Sequence, residues 1–167
     1  MSRSETTAML SENLEGLVLS KYPLWASEVK LNDGELFADA EKKGRVDYMA
    51  FEPLGMSHSI RSIEAGLVHA FEVKSCMADL NSGHGLNRVG DVNWLVMTKE
   101  LHEELIDKEI DTSGWNRVVW GIIDGRFAIA SARAAYKTSR KMPTSQALWM
   151  MLTASQRFVV RGVGYDR

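Results

Sequence analysis

Leu67-Val68-His69-Ala70-Phe71-Glu72-Val73-Lys74-Ser75 reads as a buried strand that carries two ionisable groups two residues apart. Side chains alternate faces along a strand, so Val68, Ala70, Glu72 and Lys74 share one face. A lone carboxylate or ammonium is costly to bury there unless something pairs with it. Upstream, Arg45-Val46-Asp47-Tyr48-Met49-Ala50-Phe51 is a second apolar run with one acid inside it. Acids and a lysine brought to one end of a sheet serve either a structural ion pair or metal chemistry.

Working outward, residues 5–20 have helical spacing at Leu10, Leu14, Leu17 and Val18, with Ser4 as the expected cap and no full capping box. Residues 25–31 are expected as a first strand, followed by an Asn32-Asp33-Gly34 turn and a polar loop over 35–44. Strands two and three are 45–51 and 67–75, joined by a link longer than a tight hairpin needs. Residues 76–90 suggest a short helix, a break and another short helix, and 91–97 a fourth strand. Thr98 then caps a helix to about Lys108, with Leu101, Leu105 and Ile106 on one side. Asp124-Gly125 between two apolar runs, 118–123 and 126–130, is a strong hairpin signal. Pro143-Thr144-Ser145 opens a last helix with Leu148, Met151, Leu152 and Ser155 at helical spacing. The order predicts an α/β fold: a mixed sheet flanked by helices, with a C-terminal hairpin and helix, in a single domain over 1–167.

Acid-x-Lys occurs three times, at Glu28-Val29-Lys30, Glu41-Lys42-Lys43 and Glu72-Val73-Lys74. Glu41 sits in a polar loop, and Glu28 has no acid-bearing strand before it. Glu72 alone follows a strand that carries an acid, Asp47, and pairing of the two strands would let both carboxylates converge. Mg²⁺ prefers oxygen ligands and commonly takes only one or two carboxylates plus water. Asp47 and Glu72 are therefore the expected metal ligands, with the Val73 carbonyl as a further oxygen, and Lys74 is placed to orient water and stabilise phosphate charge. The competing reading of the same residues is an ion-paired strand end.

Asp47 … Glu72-Val73-Lys74, between apolar strands and after an amphipathic helix, resembles the PD-(D/E)XK nuclease superfamily. It is most similar to the MmcB-like branch of DNA-repair endonucleases. Gly44-Arg45-Val46-Asp47, Phe71-Glu72-Val73-Lys74-Ser75, Asp79-Leu80, Gly90-Asp91-Val92-Asn93-Trp94-Leu95-Val96 and Gly121-Ile122-Ile123-Asp124-Gly125 carry the resemblance, over about residues 8–155. The 52–66 link is longer than in that branch, His84-Gly85 stands where an aromatic-containing helix start is usual, and Val46 replaces a proline before the first acid. The resemblance implies a restriction-endonuclease-like αβββαβ core, and Mg²⁺- or Mn²⁺-dependent hydrolysis of DNA phosphodiesters in repair or processing, with RNA not excluded. It implies Asp47, Glu72 and Lys74 as catalytic residues, a further carboxylate from Glu12 or Glu15, and a homodimer. The alternative is a non-catalytic nucleic-acid-binding or adaptor module that keeps the fold.

Other features are less specific. Asp79 is a candidate for the site or for a helix-start charge, and His84, between two glycines, a candidate phosphate contact. Arg133, Lys137, Arg140 and Lys141 form a basic segment that would grip a nucleic-acid backbone or simply be solvated. Trp94, Trp115, Trp120 and Trp149 are expected in the core, and Cys76 as a small packed residue. A net charge of -2 gives no global field for nucleic acid, so any contact must be local. One cysteine rules out an internal disulfide and a Cys-based zinc site, and fits a cytoplasmic location. No apolar run is long enough to span a bilayer, so no membrane partner is expected.

Overall fold

The computed structural model describes residues 2–31, 44–55, 59–83, 86–123, 126–133, 140, 142–154 and 157–160. The first helix, α1 (Arg3–Asn13), starts two residues earlier than expected. Ser2 is the N-cap, and it forms a full capping box: the Glu5 N–H donates to Ser2 Oγ, and the Ser2 N–H donates to Glu5 Oε2 at 2.7 Å. The helix continues into a π-turn at Leu14–Val18 and a 3₁₀ turn at Leu19–Lys21. The π-turn takes up an extra residue, so the buried stripe runs Leu10, Leu14, Leu19, and Leu17 is left 44% exposed. A strict α-helical period puts Leu17 there as well, whereas Val18 does pack, partly buried, against the same cluster.

Among the described residues, seven strands form one sheet in the order β6-β5-β4-β3-β2-β1-β7. β1 (Leu24–Lys30), β2 (Arg45–Glu52) and β3 (Leu67–Lys74) are successive antiparallel neighbours. The long link between β2 and β3 contains a short helix, α2 (Ile60–Glu64), capped by Ser59. α3 (Met77–Asn81) then carries the chain to β4 (Val92–Thr98), parallel to β3. Residues 86–90 are not helical, so the second short helix expected there is absent among the described residues. α4 (Lys99–Asp107) leads to β5 (Asn116–Ile123), parallel to β4, and β5 pairs antiparallel with β6 (Arg126–Arg133) as the hairpin signal required. Thr98 caps α4 by accepting from the Leu101 N–H. α5 (Thr144–Leu152) precedes β7 (Arg157–Val160), an edge strand on β1 that the sequence pattern does not reveal. The chain is thus α/β, with a mixed open sheet flanked by helices. No described helix is long and apolar enough to cross a membrane.

One face of the sheet packs on α1 through Tyr48, Ala50, Phe71, Trp94, Val96 and Trp120. The opposite face holds two separate clusters. Met49, Val68 and Ala70 meet Ala147, Met150 and Met151 of α5, and Leu95 and Met97 meet Leu101 and Leu105 of α4. α5 is apolar all round, so periodicity could not choose its face: Trp149 and Leu152 are 63% and 54% exposed, against the expectation that Trp149 is core.

Polar side chains brace the lower end of β3. Buried His69 accepts at Nδ1 from the Trp94 indole N–H at 3.1 Å, which leaves Nε2–H to donate to Glu52 at 3.0 Å. Gly90 passes so close that a Cβ there would lie 2.6 Å from the Val68 carbonyl oxygen. Asp91 accepts from the Val68 N–H at 2.8 Å. Arg140 donates to that same Asp91 carboxylate and to the carbonyls of Gly66 and Glu64. Arg140 is thereby committed to the scaffold and not to a free basic surface. Arg140→Ala is expected to destabilise the protein by about 2 kcal/mol, since it removes the ion-pair partner of Asp91 and donors to the Gly66 and Glu64 carbonyls. Thermal melts would show this as a fall of several degrees; an unchanged melting temperature would contradict the bracing role.

Candidate metal centre

The β2–β3 ladder ends at Tyr48↔Phe71, although both strands continue beyond it. Their outer neighbours do not let go. β1 stays paired with β2 as far as Lys30↔Arg45, and β4 stays paired with β3 as far as Lys74↔Met97. The sheet therefore splits between β2 and β3, at the level of Asp47 and Glu72. Like charges directly across a ladder are unfavourable, and extension of this register would set those two acids opposite each other.

Asp47 ends the ladder chemically. Its Oδ2 accepts the Val73 N–H at 2.8 Å, the donor that continued pairing would have given to β2 backbone. The N–H and C=O of one strand residue point to the same side, so the Val73 carbonyl faces the same gap. Glu72 and Lys74 lie on the sheet face occupied elsewhere by α5 and α4, between the two apolar clusters. Both are almost fully buried, at 1% and 4% exposure. Neither carboxylate oxygen of Glu72 meets a hydrogen-bond donor group among the described residues.

Burial and the neighbouring Asp47 charge push the Glu72 carboxyl well above the usual range, and they outweigh the opposing pull of Lys74 and Arg45. Glu72 therefore holds a proton at neutral pH in the metal-free chain, and that proton can be shared with Asp47. The donor set suits a hard divalent cation: two carboxylates, one of them desolvated and lacking a donor, and a carbonyl aimed into the same gap. Among the described residues no three Asp, Glu, His or Cys side chains form a ready-made cage, so water would complete any coordination shell.

Sequence reasoning set Glu28 aside, yet the structure brings it to this level. Glu28 falls across from Asp47, between the pairs Ser27↔Tyr48 and Val29↔Val46. Its backbone is left-handed, with φ of 54°, and the two flanking pairs keep a common register. A non-glycine residue in that conformation costs about 1–2 kcal/mol. Glu28 Oε2 lies 2.5 Å from Arg45 Nη1, and burial raises its carboxyl while Arg45 opposes the rise and Asp47 adds to it. Only the repeated acid-x-Lys motif hinted at Glu28, and nothing local in sequence signals a left-handed residue there.

The other candidates have different positions. Glu15 accepts from the Tyr48 hydroxyl at 3.1 Å, and Tyr48 belongs to the α1 face of the sheet, while Glu12 is exposed. The first helix thus does not bring a carboxylate to Glu72. Asp79 closes the turn after β3 by accepting from Ser75, and it pairs with Arg3 at 2.7 Å. Arg133 ends β6 across from Arg117. His84, Lys137, Lys141 and the turns at 32–34 and 124–125 lie outside the described residues.

The raised Glu72 pKa has a definite sign in stability. The native state holds a proton that the unfolded chain releases at the ordinary carboxylate pKa. Stability is therefore full below that pKa and declines as pH rises from it toward the raised native value. Glu72→Gln removes the charge and keeps the shape. It is expected to match wild type near about pH 5 and to exceed it by roughly 1–3 kcal/mol near about pH 8 without metal. Melts of both proteins across that range test this, and a constant gap would rule out the protonated Glu72.

No protein-family model matches the chain, and comparison with curated proteins and with solved structures finds no similar protein either.

Proposed function

We propose that the chain is a divalent-metal-dependent nuclease of the PD-(D/E)XK type that hydrolyses phosphodiester bonds in DNA. The observation that carries this reading is the split between β2 and β3, which gathers Asp47, Glu72, Lys74 and the Val73 carbonyl around a buried carboxylate with no donor. The element order supports it: a leading helix, three antiparallel strands, then a helix and a parallel strand agree with the expected αβββαβ core.

In this reading Asp47 and Glu72 hold Mg²⁺ or Mn²⁺, and the Val73 carbonyl lends a further oxygen. The bound ion would polarise a phosphoryl oxygen and acidify its water. Asp47 already accepts the Val73 N–H, so its carboxylate is oriented before any ligand arrives. Glu72 must give up its proton to serve as a ligand, so cation affinity should increase with pH. Lys74, on the same face as Glu72, is placed to steady the attacking water and the charge that builds on the phosphate.

A second reading has one observation in its favour. Glu72 and Lys74 are so thoroughly buried that a duplex could not reach them without local opening, which suits a non-catalytic nucleic-acid-binding or adaptor module. Cleavage of supercoiled plasmid and of single-stranded DNA in Mg²⁺ or Mn²⁺ separates the two. The nuclease reading expects Lys74→Ala to reduce turnover about 10²-fold or more, and Asp47→Ala to abolish it. Undiminished cleavage in both variants would remove the site from the mechanism. Salt-sensitive DNA binding that chelator leaves unchanged, with no cleavage in any metal, would establish the module instead.

A further inference from the structure

The split places carboxylates where a nucleic-acid phosphate would have to arrive. Glu28, Asp47 and Glu72 all bear on it, and a polyanion needs a cationic group it can touch there. Lys74 is buried, whereas the Arg45 side chain is 59% exposed. Arg45 stands two residues before Asp47 on β2, and its charge reaches Glu72. It is directly paired across the ladder with Lys30, a like charge. Its guanidinium nevertheless lies against Glu28, the diagonal neighbour at the level of Asp47. Glu28 is the residue whose backbone departs from extended geometry at that level. Among the described residues no other partner for the Arg45 fork is seen, and the fork has five N–H donors.

Building on the nuclease reading, we infer that Arg45 is the group that receives the substrate phosphate at the mouth of the split, and that Glu28 is the positioning residue that holds its guanidinium there. One edge of the fork rests on the Glu28 carboxylate, and the other edge offers paired N–H groups to a phosphate, the geometry for which arginine is suited. The left-handed turn at Glu28 belongs to this arrangement, as strained residues tend to cluster where a functional group must be held.

Glu28 makes a prediction opposite to that of bulk charge. Simple electrostatics expects Glu28→Gln to tighten binding of a polyanion, because an acid is lost. A positioning role expects it to weaken binding. Fluorescence anisotropy of a labelled single-stranded and a labelled duplex oligonucleotide, in Ca²⁺ and over a range of salt, measures this for wild type, Arg45→Ala, Arg45→Lys and Glu28→Gln. Arg45→Ala should weaken binding about tenfold and reduce the slope of log affinity against log salt by about 0.7–0.9, one phosphate contact. Arg45→Lys should keep that slope and lose affinity severalfold, because a point charge replaces the fork. Glu28→Gln should also keep the slope and lose severalfold. Thermal melts confirm that each variant is folded, and the two conservative variants carry the test if Arg45→Ala is not. An unchanged slope in Arg45→Ala, or equal or tighter binding by Glu28→Gln, overturns the inference and leaves the nuclease reading standing. A wild-type protein that binds neither oligonucleotide ends both.

Discussion

The hydrogen bond from the Val73 N–H to the Asp47 carboxylate is the interaction on which the rest of this structure turns. A backbone donor in a sheet interior must find an acceptor, and the usual one is the next strand. Here a side chain takes it, so β2 and β3 part company while each remains paired on its other side. The opening costs little in unpaired backbone because Asp47 supplies the missing acceptor. What it creates is a gap in an otherwise continuous sheet, lined by the two carboxylates, Asp47 and Glu72, that a closed ladder would have set opposite each other.

The helices decide how deep that gap is. α1 covers one face, and α5 and α4 share the other, each with its own apolar cluster. Glu72 lies at the seam between those two clusters, so it is desolvated as a core residue would be, without donors to compensate. An ionised carboxylate there is unfavourable, and the chain relieves it by retaining a proton. A divalent cation would relieve it differently, by replacing the proton. The same burial that destabilises the charged carboxylate thus favours exchange of a proton for a cation, and makes that exchange pH-dependent.

The arginines show how poorly sequence proximity predicts role. Arg140 sits in the basic segment that composition marks as a nucleic-acid surface, and it is spent on Asp91 and on two carbonyls beside β3. Arg45, which the sequence marks only as the basic residue before Asp47 at the entry to a strand, stands half-exposed against Glu28, and its charge reaches Glu72. Trp149 makes the same point for apolar residues. In a helix with no polar face, spacing cannot say which side is buried, and α5 turns Ala147, Met150 and Met151 inward instead.

Short-range physics was legible in the chain alone. Alternating and continuous apolar runs marked β2, β3 and β4, Asp-Gly marked the β5–β6 hairpin, and Thr98 marked the start of α4. Asp47, Glu72 and Lys74 could be picked out because charges inside apolar strands are rare and costly. What depended on cross-strand register and on face could not be read. The extra residue in the α1 π-turn, the edge strand β7, the left-handed Glu28 and its grip on Arg45 all arise from contacts between segments distant in sequence or from packing that overrides local preference. The amino-acid order thus determined which residues carry charge into the sheet. Only the tertiary structure decided that the sheet would open around them, because that opening depends on one side chain reaching the backbone of another strand.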